Sequence, residues 1–328
     1  MRSEIKGSSI LVTGGAGFIG SHLVDRLLDM QAKEVVIIDN LFLGSEENLE
    51  SAICRGAVLY KDDAEFATSL EYIFERHDID IVFNCATKAL NYSFMNPANS
   101  FETNTKVAIN LLELQRKNSF KTLCHFSTSE VYGTAVYEPM DEAHPKNPTT
   151  LYAAGKAAAD LAVETYVRMY DLDAFIVRPF NNYGPRQNYK GPMAGVIPIT
   201  AYRILNGIPL EIHGSGRQSR DFIYVHDTVD AIINVFPLLG AGESVNISTH
   251  HQVAIGDLIK LVADKMDYTG EILQKPARNS DVLCHNASNE KLCGMIDYNL
   301  TSFEEGLEKT LQWYVNRIVK IGYSCVPR

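Results

Sequence analysis

The segment SSILVTGGAGFIGSHLVDRLLDMQAKEVVIIDN, residues 8–40, has the pattern of a β-α-β unit. An apolar run ends in glycines and is followed by an amphipathic helical pattern, FIGSHLVDRLLDM, and by a second apolar run, EVVII. Short runs that are apolar throughout are typical of parallel strands buried on both faces. The alternation continues to residue 182. It predicts an α/β fold of the Rossmann type, a doubly wound parallel sheet with helices on both faces.

Four glycines, Gly14, Gly15, Gly17 and Gly20, stand where the first strand meets the first helix. Their spacing is that of a turn whose backbone approaches a pyrophosphate, with the N–H groups of the helix N-terminus pointing at it. Asp39 ends the second strand, where a carboxylate binds the adenosine ribose and repels a 2′-phosphate. This favours NAD over NADP; the alternative is that Asp39 only caps the following turn.

Composition excludes several classes of protein. The chain has 328 residues and a net charge of −10, which argues against a nucleic-acid partner but permits a local cluster of arginines for one small anion. The first apolar run is too short for a signal peptide, and no stretch of about 18 apolar residues follows. The six cysteines form no CxxC pair. We therefore expect a cytoplasmic protein with reduced cysteines, no membrane partner and no metal.

Tyr152 and Lys156, in TLYAAGKAAADLA, follow the segment STSE at 127–130. Residues four apart on a helix share one face, so a phenol and an ammonium can enter one pocket. The cation then lowers the pKa of the tyrosine and makes it a base near neutral pH. A chance pair of Tyr and Lys on one helix is the alternative.

The texture of the chain changes after Asn182. The segment NNYGPRQNYKGPMAGVIP is rich in Gly, Pro and Asn and predicts irregular structure. We predict a main domain at 1–182 and a smaller substrate-binding lobe at 183–328, with some segments returning to the main sheet. Within the lobe the patterns predict, in order, a helix at 199–207, a polar turn at 213–222, a strand and helix from Ile223, and a final helix at 302–320.

Together, TGGAGFIG, Asp39, STSEVYG, YAAGK and RPFNNYGPRQ resemble the extended short-chain dehydrogenase/reductase family, in its nucleotide-sugar branch. The likeness covers nearly the whole chain, and GSGRQSRDFIYVHD and KPARNSD resemble the sugar-nucleotide lobe in particular. The resemblance implies NAD as cofactor, a nucleotide sugar as substrate, and a homodimer formed through the YxxxK helix and the helix before it.

The resemblance also implies roles for individual residues. Tyr152 takes the proton of the sugar 4-hydroxyl, Lys156 binds the nicotinamide ribose, and Thr128 bonds the reacting oxygen. The expected catalytic set is Thr128, Ser129, Glu130, Tyr152 and Lys156. The expected NAD site is Gly14, Gly17, Phe18, Ile19, Gly20, Asp39, Asn40, Asp63, Ala64, Ala86, Thr87, Lys88, Asn104, Ser127, Tyr152, Lys156 and Pro179. The expected substrate site is Thr128, Ser129, Asn181, Arg186, Val196, Arg217, Arg220 and Arg278.

Glu130 points to the type of reaction. Relatives that only epimerise at C4 usually carry a small or neutral residue there, whereas a carboxylate can remove the C5 proton once C4 is a ketone and so drive loss of the 6-hydroxyl as water. Ser129 takes the place of an aspartate found in dTDP-glucose 4,6-dehydratases, which leaves Glu130 as both base and acid. The prediction is a nucleotide-sugar 4,6-dehydratase.

Other functions stay open. UDP-glucuronate decarboxylases also carry STSE, but in the segment ATKALNYSFMNP the only cation is Lys88, which favours a UDP- or GDP-linked hexose or N-acetylhexosamine over a 6-carboxylate. A 4-epimerase remains the second enzyme candidate, with Glu130 then only orienting Tyr152. A catalytically silent NAD sensor or scaffold is the non-enzyme alternative.

Overall fold

The structure, a computed structural model, describes residues 2–277 and 286–324, with side chains through residue 318. Within these residues no helix is long and apolar enough to cross a membrane. The strands are β1 (Ser9–Thr13), β2 (Glu34–Ile38), β3 (Val58–Tyr60), β4 (Ile81–Asn84), β5 (Thr122–Phe126), β6 (Asp173–Pro179), β7 (Asn181–Tyr183), β8 (Leu210–His213), β9 (Ser219–Tyr224), β10 (Ser244–Ile247), β11 (Gln252–Ala254) and β12 (Ile272–Lys275). The α-helices are α1 (Phe18–Asp29), α2 (Glu50–Cys54), α3 (Ala67–Phe74), α4 (Pro97–Arg116), α5 (Leu151–Tyr170), α6 (Val196–Leu205), α7 (Val225–Val235), α8 (Ile255–Lys265), α9 (Glu290–Met295) and α10 (Phe303–Ser324).

Seven strands form one parallel sheet in the order β10-β6-β5-β4-β1-β2-β3, which confirms the predicted fold class. The chain builds outward from β1 to β3 and then returns to the other side of β1 with β4. In sheets of this kind ligands bind outside the carboxyl ends of the strands, at the point where the order reverses. β10 comes from the second half of the chain, so part of that half does return to the main sheet.

The sheet is buried on both faces. Along β1, Ile10 and Val12 belong to one apolar cluster and Leu11 belongs to the other. Successive strand residues point to opposite faces, so each face needs its own apolar set. This double burial explains why the strands appear in the sequence as unbroken apolar runs.

The lobe differs from its prediction in two places. The predicted turn at 213–222 contains the first residues of β9, whose polar side chains conceal a strand that pairs with β7 and β11. The helix predicted from residue 199 begins earlier, at Val196. Pro198 lies in its first turn, where a proline displaces no helical hydrogen bond, so the proline did not mark a boundary.

Candidate active site

A cavity of about 640 Å³ runs from the glycine-rich turn into the lobe. It lies at the carboxyl ends of the parallel strands, where the fold predicts a ligand. The predicted site residues on its wall are Gly14, Gly17, Phe18, Ile19, Gly20, Asp39, Asn40, Asp63, Ala64, Ala86, Thr87, Lys88, Ser127, Thr128, Tyr152, Lys156, Pro179, Asn181, Val196 and Arg220. Segments far apart in the chain thus meet in one cavity.

The glycine-rich turn is too tight for side chains. Gly14 has a φ of +67°, and a Cβ on it would lie 2.8 Å from backbone atoms of Ala86. A Cβ on Gly20 would lie 2.3 Å from the carbonyl oxygen of Gly14. Among the described residues no side chain caps the start of α1, and its first turn contains no acidic residue. The first N–H groups of α1 and its dipole therefore suit a pyrophosphate.

Asp39 is held in place beside this turn. One carboxylate oxygen accepts a hydrogen bond from the backbone N–H of Ala16 at 2.9 Å, and the other from that of Leu41 at 2.8 Å. Burial raises the pKa of the Asp39 carboxyl. The carboxylate therefore caps the following turn, which was the alternative role considered for Asp39. It also lies on the cavity wall, where each oxygen can still accept a hydrogen bond from a ribose hydroxyl.

Tyr152 and Lys156 lie one turn apart at the start of α5, which the Thr150 side chain caps by accepting a hydrogen bond from the N–H of Ala153. Both face the cavity. Lys156 is buried, and its ammonium donates to the carbonyl oxygen of Phe126 at 2.8 Å. Burial lowers the pKa of Lys156 to about 8, and the charge of Asp160 opposes that change. The lysine is thus still mainly charged at neutral pH, but it loses its proton more readily than an exposed lysine.

The pKa of Tyr152 lies above its ordinary value, whereas the sequence predicted a lowered one. Removal of the phenol from water raises its pKa to about 12, and the charge of Glu130 acts in the same direction, whereas hydrogen bonds with Thr128 and Thr87 lower it. Lys156 is not among the groups that shift it, and its ammonium donates to the Phe126 carbonyl. In this state the tyrosine keeps its proton at neutral pH.

Glu130 is buried beside the site rather than on the cavity wall. It is 7% exposed and lies in a short 3-10 helix, Ser129–Tyr132, that follows β5. Thr128 caps this helix by accepting a hydrogen bond from the N–H of Glu130 at 3.3 Å. Neither Ser129 nor Glu130 lines the cavity, but the charge of Glu130 acts on Tyr152. The carboxylate is therefore close to the reacting centre.

Besides Ser129 and Glu130, three further predicted residues lie away from the cavity wall. Arg186 turns toward α1 and forms an ion pair with Asp25 at 2.7 Å, so the structure corrects its assignment as a diphosphate ligand. Asn104 lies behind the wall, where its side-chain oxygen accepts hydrogen bonds from Thr87 and the Lys88 N–H. Arg217 is exposed in a turn. Arg278 lies outside the described residues.

The lobe supplies cavity residues that sequence reasoning missed. Arg203 and Gln218 were placed in a helix and a turn without a role, and Glu211 and His213 belong to β8, which no motif marks. Their common signal is weak: polar side chains in or beside apolar lobe segments. The cavity wall shows them together only because α6, β8 and β9 meet there.

Two buried polar atoms on residues of the cavity wall lack a hydrogen-bond partner among the described residues. They are the hydroxyl of Ser127 and the side-chain nitrogen of Asn181. A buried polar group without a partner costs about 1–3 kcal/mol. Ser127 belongs to the half with the glycine-rich turn and Asn181 to the half that opens into the lobe. The residues present therefore fit a dinucleotide in the first half and a second polar ligand in the other.

Comparison with known proteins shows the same pattern over nearly the whole chain. Residues 10–248 match the model of the NAD dependent epimerase/dehydratase family. A putative UDP-glucose 4-epimerase of Methanocaldococcus jannaschii is 32% identical over 311 residues, which are 94% of this chain and 98% of that protein.

Solved structures of two different enzymes are similar as well. UDP-glucose 4-epimerase from Thermotoga maritima, crystallised with UDP-glucose, has a TM-score of 0.88 at 34% identity, with 94% of this chain and 99% of the other covered. DesIV, a dTDP-glucose 4,6-dehydratase from Streptomyces venezuelae crystallised with NAD, has a TM-score of 0.89 at 29% identity, with 95% and 98% covered. The predictions of fold, family and cofactor are confirmed. The chain belongs to the NAD-dependent epimerase/dehydratase family of extended short-chain dehydrogenases/reductases, and its cofactor is NAD.

Proposed function

We propose that the chain is a nucleotide-sugar 4,6-dehydratase, which converts a UDP- or GDP-linked hexose or N-acetylhexosamine into a 4-keto-6-deoxy sugar and water. The observation that carries the proposal is the carboxylate of Glu130. It is buried four residues after β5, and its charge acts directly on Tyr152. A second acid-base group beside the phenol is what elimination requires and what epimerisation alone does not.

The first step uses the groups around Tyr152. When bound, NAD accepts the hydride of the sugar C4 and later returns it to C6. Tyr152 removes the proton of the 4-hydroxyl, and Thr128 hydrogen-bonds the same oxygen. Because the pKa of Tyr152 is about 12, the filled site must stabilise the phenolate. The hydrogen bonds of Thr128 and Thr87 act in that direction, and Lys156 is the cation that we assign to this task.

The second step uses Glu130. The C4 ketone acidifies the hydrogen on C5, and Glu130 removes it as a proton. The electron pair of that C–H bond forms the C5–C6 double bond, while the C6–O bond breaks. Glu130 returns its proton to the departing hydroxyl, which leaves as water, because the neighbouring Ser129 carries no charge. With C6 reduced by the hydride that NAD would return, a proton from solvent adds to C5 and completes the product.

The rest of the substrate site is also part of the proposal. Asn181, Val196 and Arg220 lie on the cavity wall and are assigned to the sugar and the diphosphate. Residues 1–182 then form the NAD domain and 183–328 mainly the nucleotide-sugar lobe. The bound UDP-glucose of the Thermotoga epimerase supports a nucleotide sugar as substrate. The cytoplasmic location stays a prediction.

We further propose a homodimer that forms through α4 and α5. Ile109 on α4 and Leu161 on α5 are 38% and 53% exposed, although both helices pack on the sheet with their other faces. Large apolar side chains on two neighbouring helices suit a helical interface. Light scattering should give about twice the 36.5 kDa of one chain. A mass near that of a single chain would contradict the dimer.

A 4-epimerase is the second candidate, and two observations favour it. Glu130 does not line the cavity, and the Methanocaldococcus and Thermotoga relatives are named as 4-epimerases. In that case Tyr152 alone would act on the sugar, and the carboxylate would only adjust its environment.

Product analysis separates the two reactions. The NAD-loaded protein is incubated with UDP-, GDP-, CDP- and dTDP-linked hexoses and N-acetylhexosamines, and the products are weighed by mass spectrometry. A dehydratase gives a product lighter by one water, whereas an epimerase leaves the mass unchanged and changes only the C4 configuration. An epimer as sole product would contradict the proposal, and no turnover of any of these sugars would favour a sensor or scaffold.

A further inference from the structure

Four polar side chains line the lobe end of the cavity and take part in none of the steps above. They are Arg203 on α6, Glu211 and His213 on β8, and Gln218 before β9. Apolar residues of the same lobe, among them Ile255 and Ile259 of α8, also line this end. The combination of apolar surface with a few polar groups is typical of a ligand pocket. Its apolar side chains can contact the face of a flat ring, and its polar groups can form hydrogen bonds with the edge of that ring.

Glu211 is the acceptor in this group. One of its oxygens, Oε2, lies 3.0 Å from the Arg203 guanidinium and 3.5 Å from the His213 ring nitrogen. The other, Oε1, lies 3.9 Å from the Lys275 ammonium, beyond hydrogen-bond distance. Burial opposes ionisation, but the hydrogen bond and charge of Arg203 hold the pKa of Glu211 below its ordinary value. The side chain is therefore a carboxylate, about a quarter exposed, with acceptor capacity to spare.

The assigned groups on the cavity wall indicate what reaches Glu211. Tyr152 is assigned to the reacting sugar, and Arg220, a cavity residue of β9, is assigned to the diphosphate. The part of a nucleotide sugar that remains is the nucleoside, so its base must lie among the lobe residues. This step rests on the proposed function, since it takes a nucleotide sugar to be the occupant.

Bases differ in what they offer to a carboxylate. Guanine presents two adjacent donors, the ring N1–H and the 2-amino group, which match the two oxygens of a carboxylate in a bidentate pair. Uracil and thymine offer one N–H between two carbonyl oxygens, which an anion repels. Cytosine and adenine offer an amino group next to an unprotonated ring nitrogen, which also repels it. We infer that the lobe end is a guanine site in which Glu211 accepts both hydrogen bonds, so that the substrate is a GDP-linked sugar.

The first test compares nucleoside diphosphates on the unmodified chain. Isothermal titration of the NAD-loaded protein with GDP, UDP, dTDP, CDP and ADP should give a Kd for GDP at least tenfold below the other four. Equal or tighter binding of any other diphosphate would overturn the guanine site. These ligands carry no sugar and are not turned over. A preference for GDP together with an epimer as sole product would therefore refute the dehydratase and leave the guanine site standing.

The second test removes the negative charge of Glu211, which we assign to recognition of the base. Glu211→Gln keeps the shape but offers one acceptor in place of two, so GDP binding should weaken about tenfold while UDP binding changes little. Glu75→Gln, which alters an exposed carboxylate 74% accessible to solvent, is the matched control. An unchanged ratio of GDP to UDP affinity in a Glu211→Gln protein with normal thermal melting would overturn the inference. If that variant does not fold, the ranking on the unmodified chain decides.

Discussion

The glycine-rich half of the cavity and its lobe half hold their ligands by different means. In the first, the contact surface is backbone, and even a methyl group on Gly20 would collide with the Gly14 carbonyl. In the second, side chains such as Glu211 and Arg203 line the cavity and form an ion pair with each other at 3.0 Å. Close backbone contacts leave little room for substitution, whereas contacts made by side chains change with the residues that supply them. This difference explains why the sequence predicted the cofactor site and missed much of the substrate site.

We expect the largest effect on turnover from a substitution of Tyr152, where the two halves of the cavity meet. Tyr152→Phe removes the phenol that we assign to proton transfer, so turnover should fall by about 10²- to 10⁴-fold. NAD affinity should stay the same, because the glycine-rich turn is untouched. Steady-state rates and NAD titration give both numbers, and Tyr170→Phe, an exposed tyrosine at the end of the same helix, is the control. Turnover within a few-fold of the unmodified chain would remove Tyr152 from the mechanism.

We expect the buried charge of Lys156 to lower the free energy of unfolding. Its pKa is lowered from 10.5 to about 8, so the unfolded chain binds more protons than the folded chain between these values. At pH 7 Lys156→Met should therefore raise the unfolding free energy by up to about 3 kcal/mol. The advantage should shrink as the pH rises from 8 toward 10.5, where the lysine is neutral in both states.

Denaturant melts of both proteins at several pH values measure this difference, and activity should be lost in the variant. A Lys156→Met protein that is less stable than the unmodified chain at pH 7 would mean that the hydrogen bond to Phe126 outweighs the burial of the charge.

A smaller effect should follow from breaking the backbone half alone. Gly20→Ala places a methyl group 2.3 Å from the Gly14 carbonyl oxygen, so the turn must move. Overpacking of this kind costs about 1–3 kcal/mol, which predicts a loss of NAD affinity of roughly ten- to a hundredfold. Gly294→Ala, at a helical glycine with open space around it, serves as the control. Equal loss of GDP binding would show that the two halves are not independent.

The smallest effect concerns the lobe half. Asn181→Ala removes a buried side-chain nitrogen that has no partner among the described residues, so the free protein should lose little stability. Affinity for the sugar nucleotide should fall about tenfold, the size of one lost hydrogen bond. Titration with NAD, which should be unaffected, is the internal control. Normal sugar-nucleotide affinity would exclude Asn181 from the substrate site.

The fold and the cofactor half could be predicted because their signals are local. The glycine spacing, the strand before it and Asp39 all lie within 33 consecutive residues, 8–40. Each strand that is buried on both faces also appears in the sequence as an apolar run. These local patterns predict the same structure whatever fold the rest of the chain adopts.

The lobe half could not be predicted, because no motif marks its residues, although Arg203, Glu211, His213 and Gln218 lie within 16 consecutive residues, 203–218. Glu211 meets Arg203 only through the packing of β8 on α6, and Lys275 joins them from β12. Side-chain direction in an irregular segment has no period either. Gln187 and Asn188 line the cavity while Arg186, at a φ of +67°, points away to Asp25.

The pKa of Tyr152 shows a third limit. Spacing placed Lys156 one turn away, but whether an ammonium faces a phenol or a backbone carbonyl depends on what else is near. Here the Phe126 carbonyl lies within 2.8 Å and takes the ammonium. The motif therefore identified the pair, and the burial of both groups determined their pKa values.

The most direct test of the central claim is the reaction in D2O with the unmodified chain and with Glu130→Gln. If Glu130 is the C5 base, the unmodified chain gives a 4-keto-6-deoxy sugar that carries solvent deuterium at C5. Glu130→Gln should then oxidise C4 and stop, so that reduced nicotinamide accumulates without loss of water. A 4-epimer without deuterium at C5, or dehydration at the normal rate by Glu130→Gln, would contradict the account.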